Sequence, residues 1–196
     1  FDGGNKSIWN SPNPAQIWGQ PAVSDDIKLV ANIGLELDDS KEFYLFGNYA
    51  ERKVLGGFYF RNPTNRGGIF SADGGTTRLV GDVAEAAGGT RTCPVVAVPA
   101  TGAGSSSDTA LTAIKANPNC FVFNEVFPGG FTPSFGGSVS DWSIASGVKG
   151  NTESGTLYDV SVSVGENQAD YYIENTLNGS LGPNSPTSFN PGSYVQ

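Results

Sequence analysis

The stretch "IKLVANIGLELDDSKEFYLFGN", Ile27 to Asn48, decides the fold class. Ile27, Leu29, Ala31, Ile33, Leu35 and Leu37 are apolar at every second position, with Lys28, Asn32 and Glu36 between them. A period of two held that long marks a β-strand, because successive side chains point to opposite faces, and it does not fit the helical period. "LDDSKE" (Leu37 to Glu42) reads as a tight polar turn, and the aromatic run after it returns as the partner strand. The spacing predicts a first β-hairpin over residues 25–60.

A second hairpin is predicted over residues 141–178. Trp142, Ile144 and Val148 alternate with small or polar residues, "GNTESG" (Gly150 to Gly155) turns the chain, and Tyr158, Val160, Val162 and Val164 alternate on the return. One face of this hairpin is aromatic and β-branched, the other small or polar. That pattern suits a strand with apolar material on one side and water or a polar interior on the other.

Residues 1–24 are turn-forming and proline-punctuated, an extended arm with Trp9 and Trp18 as anchors, and residues 179–196 read as an extended tail. Residues 61–140 are too long for a structureless loop. They hold a glycine- and serine-rich bend and one short helix, capped by Ser107 or Asp108, running through "TALTAIKA" and stopping before Pro118. The fold class is therefore all-β, antiparallel hairpins with a long loop insertion. Cys93 and Cys120 suit a disulfide across that insertion in an oxidising compartment, and two unrelated free thiols are the alternative.

Composition narrows the chemistry. The 27 glycines and 12 prolines form about a fifth of 196 residues, a load that weakens helix interiors. A net charge of −8 argues against nucleic acid or an anionic membrane surface. No stretch approaches the roughly 18 apolar residues of a membrane-spanning helix, which leaves transmembrane β-strands open. The absence of methionine leads us to expect a processed product or a piece of something longer. The absence of histidine rules out a Ser-His-Asp triad, a Cys-His pair and a His-ligated zinc.

The acidic groups Asp25 with Asp26, Asp38 with Asp39, and Asp73 with Asp82 read as solvated turn carboxylates, and none has calcium-loop spacing. No carboxylate pair stands out for glycoside hydrolysis. The expectation is a protein that binds rather than catalyses, without metal or cofactor. Phe121, Phe123, Phe127, Phe131 and Phe135 either line a ligand site or form a miniature core beneath the disulfide. The core is the plainer reading, and Arg61, Arg66, Phe127 and Phe131 are carried forward as candidate ligand contacts. Asn5 in "NKS" and Asn178 in "NGS" match the N-glycosylation acceptor pattern, which arises easily by chance in a chain rich in Asn and Ser.

Three stretches carry a family resemblance. "YLFGNYAERKVLGGFYFRNPTNRGG" (Tyr44 to Gly68), "CFVFNEVFPGGFTPSFGGSVSDWSIASGVKG" (Cys120 to Gly150) and "VSVGENQADYYIENTLNGSLGPNSPTSFNPGSYVQ" (Val162 to Gln196) resemble, in this order, barrel-strand and loop segments of TonB-dependent receptors. The resemblance implies a bacterial outer-membrane transporter, a large barrel with a plug, importing chelated metals, vitamins or glycans. Its short turns would be periplasmic and residues 61–140 an extracellular loop, with a siderophore or glycan as ligand. The sequence departs from that pattern in lacking a plug, a TonB-contacting segment and a terminal strand. Two hairpins also fall short of the roughly eight strands of the smallest single-chain barrels. Two expectations follow. The chain is a receptor segment whose partner is the remainder of a β-barrel, or it is a cell-surface structural protomer, with or without glycans. In the second case copies of the chain pair strand to strand into a filament.

Overall fold

The computed structural model describes residues 21–99 and 107–196. Two compact units emerge. The sheet unit comprises Pro21–Leu55, Gly136–Tyr172 and Asn190–Gln196, and the insertion unit includes Gly56–Phe135 and Ile173–Phe189. Residues 1–20 of the expected arm, with Trp9, Trp18 and Asn5, lie outside the described residues, and residues 22–24 belong to a strand rather than to an arm.

Strands β1 (Ala22–Asp38), β2 (Lys41–Gly57), β5 (Ser134–Asn151), β6 (Leu157–Glu174) and β7 (Phe189–Val195) form one sheet in the order β1-β2-β5-β6-β7. The first hairpin pairs Ile27 with Glu51, Leu29 with Tyr49, Ile33 with Leu45 and Leu35 with Phe43, so the apolar alternation of β1 and the odd-numbered residues of β2 share one face. A bulge between Ser24 and Ile27 places Asp25 at φ 52. The turn is closed by Asp38, whose carboxylate accepts from Ser40 N at 2.9 Å and from Ser40 Oγ at 2.7 Å. In the second turn Thr152 N donates to Thr156 O and Gly155 adopts φ 83, the left-handed conformation that glycine adopts without strain.

The insertion unit has its own core. Val80, Cys93, Leu111, Ile114, Cys120 and Val122 form one cluster, and Phe70, Phe123 and Phe131 form another. Strands β3 (Gly81–Asp82) and β4 (Cys120–Phe121) pair beside it. Cys93 and Cys120 are joined by a disulfide, their Cα atoms 5.6 Å apart. Helix α2 (Thr109–Lys115) starts where the sequence predicts, with Asp108 as its cap accepting from Leu111 N.

Several features differ from expectation, beginning with the first hairpin, which runs from Ala22 to Gly57 rather than over residues 25–60. The second hairpin begins at Ser134 rather than residue 141, because "SFGG" reads as a turn but is strand. A Cβ at Gly137 would meet Asp170 O at 2.7 Å, so the glycines are there for close strand approach. The tail supplies β7, which tolerates Pro191 because it lies at the sheet edge. The insertion holds a second α-helix, α1 (Val83–Ala86), too short to show a period in sequence.

Candidate functional site

The sheet's chemistry lies in its two faces. Side chains alternate, so Ile27, Leu29, Ile33 and Leu35 of β1 share a face with Phe43, Leu45 and Tyr49 of β2. A Cβ at Gly47 would meet Ile144 Cγ1 at 3.3 Å, which puts Ile144 on that face and, by alternation, Trp142 and Val148 of β5. The β-branched residues Val160, Val162 and Val164 of β6 continue it. This face is open: Leu29 is 62% exposed and Val162 71%. Among the described residues, Ala169 is the one buried apolar residue of the sheet unit.

The opposite face is a polar network running across three strands. Tyr44 Oη donates to Asp159 Oδ1 at 2.8 Å. Asn48 Nδ2 donates to Asp141 Oδ1 at 3.0 Å, and Asn167 Nδ2 reaches the other oxygen of Asp141 at 3.2 Å. Ser143 Oγ donates to Asn48 Oδ1, and Lys149 pairs with Glu42 at 3.1 Å. Gly147 lies between Tyr44 and Ser161, whose side chains leave no room for a Cβ. One sheet thus presents an uncovered apolar face and a hydrogen-bonded polar face. Its edges are open too, since every residue of β1 is exposed and no strand pairs beyond it among the described residues.

In the insertion unit Arg61 and Arg66 share a cavity of about 540 Å³ with Tyr59, Asn62 and Asn65. Arg61 is half-buried and its backbone exchanges hydrogen bonds with Phe131, while Arg66 is exposed. Burial, and then the Arg66 charge, hold the Arg61 guanidinium below its ordinary range. No family model, no curated protein and no solved structure matches the chain.

The other sequence-derived candidates are placed as follows. Phe127 and Phe131 stack with centroids 4.5 Å apart, but Phe131 is only 3% exposed and belongs to the core rather than to a ligand surface. Phe121 and Phe127 pack against that cluster and Phe123 is part of it. Asn178 is exposed and caps the 3₁₀ turn Gly179–Asn184, its Oδ1 accepting from Ser180 N. Among the described residues no group of three His, Cys, Asp or Glu side chains could hold a metal ion.

Two buried polar centres escape sequence reading. Asp82 is not a solvated turn carboxylate: it is 7% exposed and accepts from the backbone N–H groups of Ala84, Glu85, Thr92 and Cys93. Burial pushes its carboxyl up, yet these four donors outweigh that and hold it at about 2. Arg78 is buried between Asp108 and Asn124. Only the cap role of Asp108 is signalled in the sequence.

Proposed function

We propose that this chain is a wall and extracellular-loop segment of a TonB-dependent receptor-like β-barrel in a bacterial outer membrane, serving nutrient uptake by binding rather than catalysis. The observation that carries the reading is the open apolar face on strands of 17 and 18 residues, backed by a polar hydrogen-bonded face. An aqueous surface would not favour so many exposed aliphatic side chains in one sheet, whereas lipid on one side and a polar lumen on the other satisfy both faces.

The connections support the same assignment. A membrane strand needs about 9–11 residues, so these strands are long enough to cross and continue beyond. Antiparallel order puts both short turns, at Asp39–Ser40 and at residues 152–156, on one end of the sheet. The long connections, residues 58–133 and 175–188, leave from the other strand ends. Short turns on one side and long loops on the other are the habit of outer-membrane barrels. The open edge of β1 would pair with the rest of the barrel.

That edge also favours a second reading, a filament protomer adding strands between copies. One experiment separates the two. In a W9F/W18F variant Trp142 is the sole tryptophan, on the apolar face. The full chain, refolded into phosphatidylcholine vesicles, should show Trp142 fluorescence quenched by lipids brominated along their acyl chains. Detergent-free filaments with no quenching would sink the membrane reading in favour of the second.

A further inference from the structure

We propose that the cavity beside Arg61 and Arg66 binds a small molecule carrying an oxyanion, carboxylate or phosphate, on a hydroxylated frame. The inference goes beyond the membrane reading and does not need it, because all the groups belong to the insertion unit.

Charge and shared geometry together single the site out. Among the described residues six cations are ion-paired: Lys28, Lys41, Lys53, Arg78, Arg91 and Lys149. Arg61, Arg66, Arg52 and Lys115 are not, although the chain carries 19 carboxylates against 11 cations. Of these four, Arg61 and Arg66 are the two that share one cavity. They repel each other, and burial adds to the penalty on Arg61. An anion between them relieves both.

The main chain at both arginines is held in place. Arg61 N donates to Phe131 O at 2.6 Å and Phe131 N returns to Arg61 O at 3.2 Å. Arg66 O accepts from the N–H groups of Ile69, Phe70 and Ser71. Asn62 Oδ1 takes Thr64 N and Thr64 Oγ1, fixing the bend between the two arginines. A fixed main chain lowers the ordering cost of binding.

Ligand class follows from donor chemistry. The planar guanidinium fork matches carboxylate and phosphate geometry. Asn62 and Asn65 add neutral hydrogen-bonding groups that suit hydroxyls. A volume of about 540 Å³ falls within the usual small-molecule range.

The test is isothermal titration calorimetry of the full chain in detergent with D-glucuronate, glucose 6-phosphate and D-glucose. At least one anion should bind while glucose does not, and which anion binds distinguishes carboxylate from phosphate. Arg66→Gln, at an exposed position, should weaken binding about tenfold or more, as loss of a charge-assisted hydrogen bond does. Arg61→Gln should do the same. Arg52→Gln, on β2, should leave binding unchanged. Absence of binding by both anions, equal binding of glucose, or full affinity in Arg66→Gln would overturn the proposal. A chain that fails to enter vesicles yet binds the anion would remove the membrane reading and leave this one standing.

Discussion

Arg78 donates from Nη2 to Asp108 Oδ2 with each side chain only 1% exposed, and Arg78 Nη1 donates to Asn124 Oδ1 at 2.9 Å. The pair ties the segment before β3 to the start of α2, since Asp108 also caps that helix. Removing one partner strands the other charge away from water. Asp108→Ala should therefore destabilise the insertion unit by about 3–5 kcal/mol. Replacing both with apolar residues, Arg78→Met with Asp108→Leu, should cost less, apart from about 1 kcal/mol for the lost cap. Urea unfolding of the two variants makes the comparison.

Asp82 gives the insertion an acid limit. Its folded value of about 2 lies below the ordinary 3.8, so it stabilises the fold above roughly pH 4. That contribution drains away as pH falls from about 4 to about 2, where the carboxyl protonates even in the folded state. Amide hydrogen exchange at Thr92 and Cys93 should accelerate through this window relative to exchange at the β1–β2 amides of the sheet unit. In Asp82→Asn the extra pH dependence should vanish, with faster exchange throughout.

The disulfide closes a separation of 27 residues among Val80, Leu111, Ile114 and Val122. On the chain-entropy argument, the Cys93→Ala and Cys120→Ala double variant should lose about 3–4 kcal/mol. The loss should appear in the insertion's exchange protection. The β1–β2 amides should keep theirs, because their hydrogen bonds lie in the other unit.

Neighbouring residues of β6 test the two faces of the sheet directly. Val162 is on the apolar face and Ser163 on the polar one. In vesicles, Val162→Lys should destabilise by about 2–4 kcal/mol if it sits near the bilayer midplane, and Ser163→Lys by much less. Equal effects, measured by urea unfolding from the vesicles, would contradict lipid contact on the valine face.

Much of the fold was legible because strands announce themselves by alternation. Ile27 to Leu37 and Tyr158 to Val164 gave both hairpins, and Asp108 ahead of "TALTAIKA" gave α2. The failures have a common physical source, namely partners distant in sequence. Gly136 and Gly137 look like turn residues until Asp170 is known to pass behind Gly137. Phe189 to Val195 looks irregular because Pro191 and Gly192 break its alternation, yet Ser193 Oγ reaches Asp170 on β6. Asp82 resembled any turn aspartate, since the donors Thr92 and Cys93 arrive only once α1 has folded the chain back. The Arg61–Arg66 cavity was half visible: both residues stood out, but not that one bend brings them together or that Phe131 faces inward.

The uneven distribution of buried apolar residues bears on how the chain matures. The insertion has core clusters, a buried ion pair and a disulfide, so water suffices to order it. The sheet has almost no interior, and its hairpins gain little until a non-aqueous surface or another strand covers them. This distribution favours ordering of the insertion before the sheet. A factor that holds unfinished chain would then act on the strands of the sheet alone.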